Sequence, residues 1–405
     1  MKKTIISIKN LSVTFLVKKQ FLTAIKNIDF DIYQNETLAI VGESGSGKTV
    51  LTRMLTNLNE ANGYASNGSI TYFGTMPKCI KGQWKFDLLQ LHYKTLEHAN
   101  KKAFINQLKK TIIATTDSAT RLALSQQLQL LQTKYTWKEK SEAHQYLQAF
   151  RGGVIGNIFQ DPMTSLNPLL TVGTQLCDVI KLHQCVPHEQ AKKIAIDLLD
   201  KVGIVDPEKA FSKQPIAFSG GQKQRIVIAI VLAAKPNVLV ADEPTTALDV
   251  TIQKQILSLI MKLKDQLNFT LIFITHDLSL VANIADRVAV MYNGNIVEYG
   301  TCREIFADPR HPYTWALLSS LPQLTEKHTE LYTIKGNPPS LNEVISGDPF
   351  AKRNEYALAI DFKFNPPLFA VSPTHYARTW LLDKRAPKIK IPNQILLLKK
   401  GIKNE

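Results

Sequence analysis

Gly42-Glu43-Ser44-Gly45-Ser46-Gly47-Lys48-Thr49 fits the pattern GxxxxGK[ST]. Average composition would produce such a match by chance in a chain of this length on the order of one time in a hundred. Its setting makes accident rarer still. Thr37 to Val41 reads as a buried strand, and Val50 to Leu55 continues as a helix. Strand, glycine loop and helix are the context in which this pattern binds phosphate. Glycines let successive backbone N–H groups converge on phosphate oxygens without Cβ interference, and the helix N-terminus adds a positive dipole. Lys48 is placed to reach the terminal phosphates, and Thr49 offers a hydroxyl to Mg²⁺.

Other segments extend this reading. Val238-Leu239-Val240-Ala241-Asp242-Glu243 is a continuous apolar run ending in two carboxylates, as a strand buried on both faces would read. Asp242 at its carboxyl end suits Mg²⁺, and Glu243 suits a general base that polarises water. Phe218-Ser219-Gly220-Gly221-Gln222 opens an apolar helix and forms a second anion-binding terminus. Leu271-Ile272-Phe273-Ile274-Thr275 is a further buried strand, followed by His276, which is suited to contact a γ-phosphate. A lone histidine is more often structural, so His276 gains weight only from the other motifs.

Together these residues resemble the nucleotide-binding subunits of ABC transporters, over about residues 4–75 and 152–345. The resemblance makes Gly42 to Thr49 the Walker A loop, and Gln160, in Ile158-Phe159-Gln160-Asp161-Pro162, the Q-loop glutamine and a Mg²⁺ contact. It makes Ser219, Gly220, Gly221 and Gln222 the signature, with Phe218 where Leu is commoner. Asp242 and Glu243 become Walker B and the catalytic glutamate, Ala247-Leu248-Asp249 the D-loop, and His276 the switch histidine; Phe15 matches the adenine-stacking aromatic. Asp161 to Pro168 and His311 to Leu318 are similar to the oligopeptide/dipeptide permease ATPases, and Gly42 to Gly47 favours their D-type subunit. Ile334-Lys335-Gly336-Asn337-Pro338-Pro339-Ser340-Leu341 resembles that family's IPGxPPxL segment.

The resemblance implies an α/β P-loop fold of the ABC type: a RecA-like subdomain, a helical subdomain and an antiparallel β subdomain. The segments expected are a nucleotide-binding domain over 1–325, with its helical signature subdomain at 161–235, a C-terminal region over 326–382 and a basic tail over 383–405. It implies ATP and Mg²⁺, and a partner ATPase, in a heterodimer, whose signature would close over this chain's Walker A. It also implies two transmembrane permease subunits, an extracellular peptide-binding protein and a place at the cytoplasmic face of the membrane. Nickel, glutathione and dipeptide importers use similar ATPases, and the membrane subunits and external receptor select the substrate. The alternative is a soluble ABC ATPase acting on nucleic acid or ribosomes. It is disfavoured by the single cassette and by an insertion that precedes Gln160.

The chain departs from the family pattern in two places. Members often carry four cysteines that bind an iron–sulfur cluster in the C-terminal region; here those positions read Asp348, Asn354, Asp361 and Thr379. None supplies a thiolate, so no cluster is expected, and packing alone should hold this region. Residues from about 76 to 150 form the second departure, an apparent insertion without Gly or Pro between Phe86 and Phe150. Leu96, Ala99, Ala103, Leu108, Ile112 and Ile113 give one loose helical stripe, and Leu122, Leu124, Leu128, Leu130 and Leu131 another. Thr115 to Ser118 between them reads as a turn, so a helical hairpin is expected.

Charge and composition complete the reading. The chain of 405 residues carries 49 Lys and Arg against 34 Asp and Glu, a net +15. Residues 76–150 hold twelve basic against five acidic residues, a surplus of +7, and residues 384–405 hold seven against one, a surplus of +6. The motif-bearing remainder is therefore nearly neutral, and the surplus is a poor sign of a nucleic-acid groove. At 44% hydrophobic the composition excludes wholesale disorder. No apolar run approaches the ~18 residues of a membrane span, and the start is too weakly apolar for a signal peptide. A chain made and kept in the cytoplasm is expected. Its four cysteines form no CxxC pair, so neither a disulfide framework nor a zinc site is indicated. Ile395 to Leu398, between Lys390 and Lys399, would suit contact with an anionic inner leaflet.

Overall fold

The structure is a computed structural model describing residues 3–18, 20–60, 62–75, 83–87, 98–114, 118–245, 249–321, 334–343, 345–392 and 395. It divides into two compact units. The first comprises residues 1–11, 29–35 and 52–273, and the second residues 12–28, 36–51 and 274–405. The chain passes from the first to the second within the strand Thr270–Thr275.

In the first unit, Val238–Asp242 runs parallel to Ile155–Ile158 on one side and neighbours Thr270–Thr275 on the other. Val238 to Ala241 are fully buried, which explains their unbroken apolar run. Residues 161–235 are mainly helical. Val172–Gln184 is capped by Thr171, whose side chain accepts from Thr174 N–H, and Gly220–Ala233 buries Ile226, Val227, Ile228 and Ala229.

The segment 76–150 differs from a simple helical hairpin. Gln83–Asp87 is a strand, paired antiparallel to Gly63–Thr75. Helices follow at His98–Ala114, Ser118–Gln132 and Trp137–Gly153. Thr136 starts the last with a capping box: its hydroxyl accepts from Glu139 N–H, and the Glu139 carboxylate accepts from Thr136 N–H. These helices dock on Gly63–Thr75. Phe104 stacks on Tyr64 at 3.9 Å between ring centroids, and Phe150 meets Tyr72 edge-on at 6.0 Å. The apolar stripes are only partly right: Leu108, Leu124 and Leu131 are buried, but Ile113 is 82% and Leu122 62% exposed. The expected turn at 115–117 lies outside the described residues.

The second unit holds strands in the order Phe369–Ala370, Tyr376–Ala377, Asn295–Thr301, Arg287–Tyr292, Thr37–Val41. Thr37–Val41 pairs parallel with Arg287–Tyr292, and the remaining pairs are antiparallel. Asn293-Gly294 makes the tight hairpin turn with φ of 43° and 79°, as that dipeptide favours. The C-terminal region packs into this unit: Phe350 joins a core with Tyr292, Tyr313 and Leu318. Glu298 is fully buried at its centre, accepting from Arg310 N–H, His311 N–H and the His375 ring at 2.6, 2.9 and 2.7 Å.

Packing is not alone in holding residues 345–392. The four residues at the expected cysteine positions are all at least nine-tenths buried and each accepts a backbone N–H. Asp348 accepts from Phe350, Asn354 from Tyr356, Asp361 from Leu358 and Thr379 from Leu381, at 3.0, 2.9, 2.6 and 3.3 Å. Burial, with the Asp361 charge adding to it, pushes the Asp348 carboxyl up to about 7. The folded chain therefore keeps a proton that the unfolded chain, with an ordinary carboxyl near 3.9, releases at lower pH. This group's contribution to stability is greatest below pH ~4 and falls as pH rises through 7. Asp348→Asn keeps an acceptor oxygen for Phe350 N–H and removes the charge. Thermal melts should show it stabilising by on the order of 1–3 kcal/mol at pH 8 and by less at pH 5. Equal shifts at both pH values would contradict the assignment.

The tail also differs from expectation. Ile395 is fully buried in the core of the second unit, with Ile389 and Ile391 against the same core, so Ile395 does not face a lipid surface. Leu396, Leu397 and Leu398 lie outside the described residues.

Candidate functional site

The sequence-predicted residues fall into two groups, one in each unit. In the second unit, buried Thr37–Val41 delivers the chain to Gly42. A Cβ on Gly42 would sit 2.1 Å from the Met291 carbonyl oxygen, so only glycine passes here. Lys48 opens the helix Lys48–Thr56, and its ammonium donates back to the carbonyls of Gly42 and Glu43 at 2.8 and 2.9 Å. Gly294 N–H, at the hairpin turn, donates to Ser46 C=O at 2.8 Å, and a Cβ there would come within 2.4 Å of the Ala24 carbonyl. The loop is thus braced from beneath by close backbone contacts.

Its upper side is open. A Cβ on Gly45 would meet no atom within 4 Å, Ser44 is exposed, and Thr49 presents an exposed residue at the helix start. The buried Ser46 hydroxyl has no hydrogen-bond partner among the described residues. An open glycine cradle at a helix N-terminus, with a buried ammonium and an uncommitted hydroxyl, fits phosphate. His276 follows Thr275 as an exposed residue, and Asp277 caps the next helix through Ser279 N–H. Phe15 is half-buried on the strand Thr4–Val17.

In the first unit, Asp242 ends its strand and Glu243 follows with φ of 46°, a left-handed conformation unusual for a non-glycine residue. The Gln160 amide donates to the Glu243 carboxylate at 3.4 Å, so these two predicted residues are brought together. Ser219 caps the helix Gly220–Ala233 in a box with Gln222: each side chain accepts the other's backbone N–H. Asp249 caps Val250–Leu267, accepting from Thr251 and Ile252 N–H at 3.1 and 2.9 Å. Ala247 and Leu248 lie outside the described residues. Thr49, Gln160 and Asp242 all carry oxygen donors, the hard ligands Mg²⁺ prefers.

A family profile described as "ABC transporter" matches residues 25–111 and 118–246, and one described as "Oligopeptide/dipeptide transporter, C-terminal region" matches 297–360. The oligopeptide transport ATP-binding protein AmiE of Streptococcus pneumoniae is 44% identical over 404 residues, covering 100% of this chain and 97% of the relative. The chain belongs to the oligopeptide/dipeptide branch of the ABC transporter ATPases. The oligopeptide transport ATP-binding protein OppD of Bacillus subtilis is 43% identical, covering 96% of this chain and 92% of that one. The dipeptide transport ATP-binding protein DppD of Lactococcus lactis is 41% identical, covering 98% and 96%. Among solved structures, cbiO1 from Clostridium perfringens, part of the ABC transporter complex cbiONQ, aligns with a TM-score of 0.51 at 23% identity, over 76% of this chain and 92% of that one. It supports the ABC cassette fold.

Several residues tied to the site were not read from the sequence. Gln224, fully buried one turn into the signature helix, donates to Pro244 C=O at 2.7 Å, just beyond Glu243. A buried glutamine two positions before the apolar run Ile226 to Ala234 was the available signal. Tyr313 and Arg353 both reach Glu43, from about 270 and 310 residues away, and no local pattern announces either.

Proposed function

We propose that this chain is the ATP-hydrolysing subunit of an importer that takes up oligopeptides or dipeptides. The observation that carries the reading is similarity across the whole chain, cassette and C-terminal region alike, to relatives named for oligopeptide and dipeptide transport. In this reading Gly42 to Thr49 bind the phosphates of ATP, with Lys48 neutralising charge on the terminal groups. Thr49, Gln160 and Asp242 hold Mg²⁺, whose charge would stabilise that developing on the phosphate oxygens. Glu243 orients water for in-line attack on the γ-phosphate and takes its proton, and His276 contacts the transferred group. Phe15 stacks on adenine.

Ser219, Gly220, Gly221, Gln222 and Asp249 act toward the nucleotide of a partner ATPase, so hydrolysis depends on closure of the pair. That dependence lets cleavage drive movement in attached membrane subunits. The partners are a second ABC ATPase, two transmembrane permease subunits and, indirectly, an extracellular peptide-binding protein. Among the described residues no helix is long and apolar enough to cross a membrane, and a peripheral place on the cytoplasmic face follows from the proposed partners. In this scheme 1–325 is the nucleotide-binding domain, 326–382 the C-terminal region and 383–405 the tail. No observation favours action on nucleic acid or ribosomes.

Affinity purification of the tagged full chain from detergent-solubilised membranes tests the reading. Recovery of a second ATPase with two hydrophobic subunits is expected. Recovery of ribosomes or nucleic acid in their place would overturn it.

A further inference from the structure

We propose that Arg353 is a positioning residue for ATP binding: it fixes Glu43 of the phosphate loop and so makes nucleotide affinity depend on the C-terminal region. The inference rests on the reading of Gly42 to Thr49 as the phosphate site. The Arg353 side chain is 6% exposed and grips the Glu43 carboxylate with two bonds, Nη1 to Oε2 at 2.7 Å and Nη2 to Oε1 at 3.1 Å. Paired planar contacts of this kind fix orientation as well as charge.

Arg353 is itself over-determined. Nε donates to Lys335 C=O at 3.0 Å, Nη1 to the Tyr292 hydroxyl at 3.2 Å, and the guanidinium lies 5.8 Å from the Tyr292 ring centre. Tyr292, Tyr313 and Phe350 form a buried aromatic cluster, and the Tyr313 hydroxyl accepts from Glu43 N–H at 2.8 Å. Glu43 is therefore held by its side chain and by its N–H, while its carbonyl accepts from Lys48 Nζ. Of its groups, only that carbonyl touches the phosphate-binding lysine. Releasing the carboxylate lets the residue that seats Lys48 move. Nothing in the loop's own pattern requires an acid at this position, since the pattern leaves residues 43 to 46 open. The acid is explained by the arginine it meets.

The test measures equilibrium ATP binding by the full-length chain with Mg²⁺ present. Arg353→Met should weaken ATP binding about tenfold. Glu43→Gln should weaken it similarly. The double variant should be no weaker than either single, because both remove one interaction. Wild-type affinity in Arg353→Met with only a lowered melting temperature would show a purely structural residue and overturn the proposal. So would losses that multiply in the double variant. Should Arg353→Met fail to fold, Glu43→Gln at its partly exposed site decides alone: unchanged affinity overturns the proposal. Lys48→Ala separates the underlying readings. If it leaves binding intact, the phosphate-site reading fails and this inference with it. If it abolishes binding while Arg353→Met does not weaken it, the role of Arg353 alone falls.

Discussion

Glu243→Gln is expected to bind ATP as the parent chain does and to hydrolyse it about 10²- to 10⁴-fold more slowly, the range a positioned general base contributes. The substitution is nearly isosteric, so the strand end and its loop stay in place. What it removes is the ability to take a proton from water. The structure gives two reasons to place that role here. Glu243 is held at a positive φ directly after Asp242, a conformation that costs on the order of 1 kcal/mol and that surrounding structure must enforce. Its carboxylate also receives the Gln160 amide, so a residue suited to sense nucleotide is in contact with the proposed base. Nucleotide binding and phosphate release, measured on the same preparation assembled with its partner subunits, separate the outcomes. Hydrolysis at the parental rate would remove Glu243 from the mechanism.

Arg287→Met is expected to destabilise the second unit by about 3–5 kcal/mol, because it removes the guanidinium that pairs with a buried carboxylate. Glu36 and Arg287 meet at 3.1 Å with side chains 1% and 10% exposed. Glu36 immediately precedes Thr37–Val41, the strand that delivers the phosphate loop, and Arg287 opens the strand paired to it in parallel. Thermal unfolding should show the transition of this unit lowered by roughly 6–20 °C. Adding Glu36→Gln should recover part of the loss, since the buried negative charge is then gone and the two sites interact directly. A melting temperature within a degree or two of the parent for Arg287→Met would mean that the pair contributes nothing.

What could be read from the sequence was what is local. The glycine loop, the carboxylates of Asp242 and Glu243 and the Ser219 cap are contiguous, and their chemistry dictates the residue type at each place. The hairpin turn at Asn293-Gly294 is of the same local kind, since that dipeptide itself favours the positive φ of both residues. Periodicity failed where burial depends on a distant surface. Ile113 and Leu122 looked like core residues on isolated helices, yet the docking face is set by Tyr64 and Tyr72 on Gly63–Thr75, which select Phe104 and Phe150 instead. The strand Gln83–Asp87 went unread because its pairing partner, not its own pattern, makes it a strand.

The C-terminal region was misjudged by a similar omission. Loss of thiolates at Asp348, Asn354, Asp361 and Thr379 suggested packing alone, whereas each side chain caps a turn. Arg353 and Glu43 are separated by 310 positions, and a pairing at that distance leaves no mark in either neighbourhood. The surplus charge was a weak guide throughout: the described tail residues Ile389, Ile391 and Ile395 pack against the second unit despite the lysines between and around them.

That ATP hydrolysis by this chain drives peptide uptake is tested by replacing the native gene product with Glu243→Gln in the cells that make it and following accumulation of a radiolabelled oligopeptide or dipeptide. Uptake should fall to background while the variant remains associated with membranes at its normal level. Undiminished peptide uptake with the variant as the sole copy would contradict the account.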